Sequence, residues 1–427
     1  MSILIAVIAL SLLIIIHELG HFIVAKLSDI KVLEFSLFMG PKLFSVKKGE
    51  TEYSLRAIPL GGFVRMEGEE EASDDERAFN KKPILTRAAV IAAGPIMNLI
   101  AALITIFIIL SFSGYYIPKV EGIKPGSPAY SAGMRDGDII LKYGGKKVLH
   151  PSDIYLFVYG SKGAPVDVKV LRDGKTETLR LEPEIIPENR FILGFIPKAD
   201  YGPGSNVVAD TGQEQDGPFK PGDEIIMLDD TSVSDGREIR EYLKTNGGKP
   251  VKVTVLRDGK ETELDITPQV SRGEEQYGLG FGYASERGGF FSIVKNSVYY
   301  AMSIARNVYY SLAWLITGRI SLNQLSGPVG IVTTIGDVVE QSPTFMDKIQ
   351  GLLSLMSFIG INLGLVNLIP IPALDGSKLL LLAVEGIRKK AIPPEKEAFI
   401  SLVGFVLLIM LMIFTTYNDI LRTIRGG

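Results

Sequence analysis

IIIHELGHFIVAKL, residues 14–27, places His17, Glu18 and His21 inside an apolar run long enough to cross a bilayer. An ionisable group in hydrocarbon is costly, by about 3 kcal/mol or more, unless it is paired, hydrated or bound to a metal. Here three of them come together at HExxH spacing. Residues four apart share one helix face, so both imidazoles project to the same side with the carboxylate beside them. The local reading is a zinc site with a general base, placed within the membrane.

The rest of the chain bounds that reading. Its 427 residues are 46% hydrophobic with a formal net charge of −3, so nothing suggests nucleic acid as a partner. Mean hydropathy is +0.24, and the excess sits in a few runs, as in an integral membrane protein with a soluble portion. There is no cysteine, which excludes disulfides, iron–sulfur clusters and thiolate zinc sites. The first run has no basic flank or small-residue cleavage site of a secretory signal, so it is expected to stay in place.

Four runs, 3–27, 88–112, 349–369 and 398–417, have the roughly 20 mainly apolar residues that a bilayer requires. A fifth, 297–316, carries Tyr299, Tyr300, Tyr309, Tyr310 and Trp314 but also Arg306 and Asn307, and suits a helix lying in the interface. Residues 118–286 differ in kind, being rich in glycine, proline and charge, and they contain a repeat. VKVLRDGKTETL (168–179) returns as VTVLRDGKETEL (253–264), and the Gly137-Asp138 pair returns as Gly222-Asp223. One shared offset of 85 residues across separated blocks means two tandem copies of a small domain. In each, Asp-Gly between β-branched runs signals a hairpin, and LGF recurs at 193–195 and 279–281, near the end of each copy. Residues 58–68, IPLGGFVRMEG, alternate like a strand, with Gly61, Gly62 and Phe63 at a tight bend or close backbone approach.

A hydrolytic zinc site takes three protein ligands and keeps one open position. HELGH supplies two. His150 is the only other histidine; a carboxylate is the alternative, and Asp375 in LVNLIPIPALDG (365–376) stands out. Pro370 and Pro372 break the helix before it and leave polar backbone that must be protein-lined or hydrated, with Asn367 a further polar group there. Asp-Gly as an ordinary helix end is the plain alternative. Topology favours the ligand. Residues 22–88 hold eleven basic side chains, and Lys378, Arg388, Lys389, Lys390 and Lys396 follow the third run, so both loops belong on the cytoplasmic side. If 297–316 does not cross, HELGH and Asp375 lie at the same membrane face. Glu18 would then move a proton between a zinc-activated water and the leaving amine.

HELGH, AAGPIMNLIAAL (92–103), the paired copies, LSGPVGI (325–331) and NLIPIPALDG (367–376) together resemble the site-2 protease family, in particular its RseP-type branch. The copies themselves resemble circularly permuted PDZ domains, with PGSPAYSAGMRDGDIILKYGGKKV (125–148) as helix and strand core. The second copy departs from that pattern at 209–224. The implied fold is a multi-span α-helical membrane protein with four transmembrane helices, two inserted α+β PDZ-like domains and a small membrane-associated β element. The implied division is 1–117, 118–200, 201–286, 287–348 and 349–427. The resemblance implies an intramembrane Zn²⁺ metalloprotease of a bacterial cytoplasmic membrane. His17, His21 and Asp375 would be ligands, Glu18 the base, and Asn367, Pro370 and Pro372 a grip on unwound substrate. The strip containing Gly61, Gly62 and Phe63 would pair with extended substrate. Its partners would be single-span proteins such as anti-sigma factors, the lipid bilayer, and peptide C-termini at the PDZ grooves. The PDZ copies would lie outside, the active site towards the cytoplasm, and bulky untrimmed substrates would be excluded. Two other readings are a membrane-anchored PDZ scaffold without protease activity and an anchored zinc peptidase acting on soluble peptides.

Overall fold

The computed structural model describes residues 2–69, 71–186, 189–197, 205–210, 218–272, 276–342 and 344–424. It divides into two compact units, Met1–Gly114 with Arg287–Gly427, and Tyr115–Glu286.

The first unit opens with helix α1 (Ser2–Leu27), which carries HELGH. Two long strands follow, β1 (Val32–Lys48) and β2 (Thr51–Met66). They make more than a hairpin. Residues 34–37 pair on one side with 52–55 and on the other with 62–65, while 52–55 pair also with the far end of β1. Each strand doubles back, so two strands build a four-ribbon sheet in which the central ribbons 34–37 and 52–55 run parallel and each outer ribbon pairs antiparallel to its neighbour. The turns need left-handed backbone, supplied by Gly40 (φ 85°) and Gly61 (φ 76°). The hairpin turn is clamped by charge: Glu50 accepts from Lys26 and Arg77, whose cations hold its carboxyl down to about 2. The sheet leans on α1 through Phe22, whose ring lies 5.1 Å from Phe35 and 6.1 Å from Tyr53. At its far bend, Ser11 of α1 donates to the Pro59 carbonyl at 2.8 Å. Helix α2 (Ile84–Ser113) packs against α1. Gly20 permits this approach, because a Cβ there would lie 2.3 Å from the Ala93 carbonyl oxygen.

The second unit shows the 85-residue offset in three dimensions. Strands β3 (Tyr115–Glu121), helix α3 (Pro128–Ser131), β4 (Ile139–Tyr143), β5 (Lys146–Lys147), helix α4 (Pro151–Ser161), β6 (Val166–Arg172) and β7 (Lys175–Leu181) form the first copy. After the short β8 (Glu184–Ile186), β9 (Asn189–Ile192), β10 (Ile196–Pro197) and β11 (Val208–Asp210) come β12 (Glu224–Leu228), β13 (Thr231–Ser232), α5 (Gly236–Asn246), β14 (Val251–Arg257) and β15 (Lys260–Ile266). Each of these last five starts 85 residues after its counterpart. Even the buried ion pair repeats: Arg172 on Asp138 and Arg257 on Asp223, both closing at 2.7 Å. Strands β16 (Gln269–Arg272) and β17 (Gln276–Gly278) pair back on β9 and β8. The final β18 (Gly282–Glu286) pairs with β3, at the start of the first copy.

The two copies therefore trade their LGF segments. Leu193 and Phe195 join the core built on Val208, Ile225, Val253 and Ile266, within the second copy. Leu279 instead accepts from the Ala129 amide at 3.0 Å, and Tyr283 meets Tyr155 of α4, within the first. The segment 211–217, in the stretch where the second copy departs from the first, lies outside the described residues.

The chain returns to the first unit with α6 (Phe290–Ile316), α7 (Pro328–Gln341), α8 (Phe345–Asn367), α9 (Asp375–Arg388) and α10 (Pro394–Ile424). Among the described residues four helices are long and apolar enough to cross a membrane: Leu4–Leu27, Ile84–Ser113, Phe345–Asn367 and Glu395–Leu421. The protein is an integral membrane protein on that basis. Helix α6, the fifth apolar run, is not among the four; it packs against α2 and α8 through Ile304, Ala301 and Ala305.

Candidate metal centre

Asp375 is the first residue of α9, after a break from Leu368 to Leu374 that ends α8. It does not finish the third span as an Asp-Gly helix end would; it opens a new helix. Gly376 is required at this point, since a Cβ there would lie 2.2 Å from the Ile369 carbonyl oxygen. Ala373 takes φ 76°, a left-handed conformation that a non-glycine residue adopts only under constraint.

The break carries Asp375 to HELGH. Its Oδ2 lies 3.1 Å from His17 Nε2 and 3.6 Å from His21 Nε2, and the two Nε2 atoms are 3.2 Å apart. Ligand atoms around tetrahedral zinc, each about 2.0–2.1 Å from the ion, are separated by roughly 3.3–3.4 Å. The three spacings match that geometry. Despite these short distances, Asp375 Oδ2 is buried and makes no hydrogen bond of acceptable geometry. Two imidazole nitrogens and an orphaned carboxylate oxygen facing one point are a donor set suited to a divalent cation. His150, the other candidate third ligand, instead caps α4, its Nδ1 accepting from the Ser152 amide at 3.3 Å.

Helix α2 and strand β2 complete the surroundings. His21 Nδ1 lies 2.8 Å from the Val90 carbonyl, which leaves Nε2 with its lone pair free for a metal. Gly94 stands against the same ring: a Cβ there would lie 2.3 Å from His21 Nε2. Asn98, fully buried, sits 3.3 Å from His17 Nδ1. Glu18 accepts from the Val64 amide at 3.1 Å, so the ribbon 62–66 holds the carboxylate beside the histidines. On α9, Lys378 pairs with Glu69 at 2.9 Å; burial works against its ammonium, but Glu69 keeps its pKa above the ordinary value. A cavity of about 300 Å³ joins His17, Glu18, His21, Phe63, Asn367, Asp375 and Lys378.

Asn367 and Phe63 thus reach the centre. Gly62 lies at its edge, where a Cβ would meet the Ser36 carbonyl at 2.8 Å and Glu18 Cγ at 3.8 Å. Gly61 faces Met39, and Pro372 packs against Gly404 of α10; neither lines the cavity, nor does Pro370. Sequence reasoning passed over Val90, Glu69 and Lys378. Lys378 had a signal, since position i+3 from Asp375 shares its helix face. A backbone carbonyl such as that of Val90 has none.

A His–His–carboxylate cluster beside a glutamate, its histidines and glutamate on a helix apolar enough to span and its aspartate at the start of α9, is the arrangement of a membrane metalloprotease. The chain belongs to peptidase family M50, the site-2 proteases, which it matches over residues 5–411. It is 31% identical to the regulator of sigma-W protease RasP of Bacillus subtilis, over 96% of each chain. It is 30% identical to the zinc metalloprotease RasP of Geobacillus kaustophilus, over 98% of this chain and 97% of that one. A third relative, the zinc metalloprotease RasP of Bacillus licheniformis, is 29% identical over 96% of both.

Proposed function

We propose that the protein is an intramembrane zinc metalloprotease that cuts single-span membrane proteins within or near their membrane helices. The observation that carries this is that Asp375 of α9 comes within 4.8 Å of His17 and His21, which lie on the span that also bears Glu18. His17, His21 and Asp375 would hold the ion. When bound, zinc supplies a Lewis acid that acidifies water and polarises a carbonyl. Glu18, fixed by the Val64 amide, takes the proton of the attacking water and delivers it to the leaving amine nitrogen.

Substrate handling follows from backbone chemistry. A membrane helix satisfies its own N–H and C=O groups and must be unwound before hydrolysis. Ribbon 62–66 pairs with 34–37 on one side only among the described residues, so its other edge can take up an extended strand beside Glu18. Gly62 and Phe63 belong to that edge. Asn367 offers its amide to the freed groups, and Pro370 and Pro372 shape the break that places it, with Gly61 turning the ribbon into position. The repeated copies read as PDZ-like domains able to hold peptide C-termini. The distribution of basic residues favours their placement outside the cytoplasmic membrane of a bacterium, with the metal centre towards the cytoplasm. The Bacillus subtilis relative named as a regulator of sigma-W protease favours anti-sigma-factor-like substrates.

The test is zinc content together with cleavage of a single-span reporter. Glu18→Gln should keep zinc and lose cleavage; Asp375→Ala should lose both. Full zinc retention in Asp375→Ala refutes the ligand assignment, and undiminished cleavage by Glu18→Gln refutes the mechanism.

A further inference from the structure

We infer that Asn98 is a positioning residue for the metal centre: its side-chain oxygen accepts the Nδ1–H of His17 and so turns Nε2 towards the ion. The inference rests on the metal-centre reading above. Asn98 is fully buried on α2, and its Nδ2 stands 3.3 Å from His17 Nδ1. Its Oδ1 is also buried and has no hydrogen-bond partner. An amide donating to Nδ1 forces the His17 proton onto Nε2, the atom that faces His21 and Asp375. That tautomer cannot ligate. Rotating the amide by a half-turn exchanges two atoms of nearly equal size. The orphaned oxygen then receives the Nδ1 proton, and His17 Nε2 presents a lone pair.

His21 supports this orientation independently. Its Nδ1 is 2.8 Å from the carbonyl of Val90, eight residues before Asn98 on the same helix. With the amide turned, one face of α2 offers an acceptor to the outer nitrogen of each imidazole. Metal-bound histidines commonly donate their second N–H to such an acceptor, which fixes both tautomer and ring direction.

The experiment measures the zinc dissociation constant of the full-length protein in detergent by chelator competition. The panel is wild type, Asn98→Leu, Asn98→Ala, Asn98→Asp and Asp375→Ala. Leucine keeps the volume but offers no acceptor, and aspartate keeps an acceptor. Loss of the outer-shell partner is expected to weaken zinc by roughly 10–100-fold in the leucine and alanine variants, with aspartate closer to wild type. Wild-type affinity in Asn98→Leu overturns the inference. Nitrogen-15 resonances of labelled histidines provide a second readout that needs no variant to fold. In zinc-loaded wild type, His17 should carry its proton on Nδ1, and a proton on Nε2 overturns the inference. A wild type that binds zinc as weakly as Asp375→Ala overturns the metal-centre reading and this one together; intact wild-type binding with an unaffected Asn98→Leu overturns this one alone.

Discussion

Gly94→Ala adds a single methyl group at the point where α2 touches the metal centre. Built on the present backbone, that methyl would lie 2.3 Å from His21 Nε2, 2.6 Å from Cε1 and 2.8 Å from Cδ2. Carbon and nitrogen settle at about 3.5 Å, so the ring must withdraw by roughly 1 Å. A metal ligand tolerates only about 0.2 Å of misplacement. The ring has little room to yield, because Nδ1 is tied to Val90 and the residue is 9% exposed. Zinc affinity should therefore fall by at least the roughly 10–100-fold expected of a lost outer-shell contact, and cleavage by about 100-fold or more. The fold should survive. Alanine is favoured over glycine within a helix by about 0.5–1 kcal/mol, against about 1–3 kcal/mol for local overpacking. The assay pairs zinc content and reporter cleavage with thermal unfolding of the metal-free protein. Stoichiometric zinc and wild-type cleavage in Gly94→Ala would refute the close approach of α2 to His21; an unfolded variant would show that the contact serves stability and not the metal alone.

Three further outcomes are expected. In Arg172→Met, the 1% exposed Asp138 carboxylate loses its ion pair and keeps the Arg135 amide, and Tyr115–Glu286 should lose about 3 kcal/mol, read as a lowered unfolding midpoint; an unchanged midpoint counts against the pair as a stabilising element. Burial pushes the His150 imidazole down to about 4 although Asp153 opposes the shift, so the folded state keeps it neutral while the unfolded state takes a proton below its ordinary 6.5. Its contribution is present in full above pH 6.5 and is lost as pH falls from 6.5 to 4; His150→Asn should flatten that part of the stability–pH curve, and an identical slope in both proteins would exclude His150 as its source. Deleting 201–286, the second copy as the repeat delimits it, also removes β18, Leu279 and Phe281 from the first, so limited proteolysis should open residues 115–186 as well; a resistant first copy would argue that β18 is dispensable.

Much of this architecture is written locally, and the remainder is not. The spans show because about 20 apolar residues have few other uses, and HELGH shows because its spacing is fixed by one helix. The repeat shows because α4 and α5, like β6 and β14, begin 85 residues apart. The exchange of LGF segments does not show, since both strands fit either copy by pattern and only the pairing of β18 with β3 distinguishes them. The doubling of β2 is hidden for a similar reason: Gly61 permits the turn, but the partner of 62–65 is 34–37, which already pairs with 52–55. In the centre itself, His17, His21 and Asp375 were legible as chemistry, whereas Val90 contributes through a carbonyl common to every residue. Asn98, with Gly94 and Pro95 in the second span, reads equally well as a neighbour of the site and as a packing residue until its partner is known to be His17.

The break before Asp375 has a geometric cause. Asn367 and Asp375 line the same cavity although they are eight residues apart. A continuous helix would separate them by about 12 Å along its axis, which would put one of them out of reach. Ending α8 at Asn367 and restarting at Asp375 folds that distance away. Two of the residues between, Pro370 and Pro372, have no N–H to leave unsatisfied, which lowers the cost of non-helical backbone here. Tight closure is then enforced from both ends, by Gly376 against the Ile369 carbonyl and by Gly404 of α10 against Pro372. Irregular backbone at membrane depth is tolerated only where protein or water receives it. On the proposed reading, the cavity beside Glu18 would meet that condition, and the break that delivers the carboxylate would also leave a polar space for a peptide bond and a water molecule.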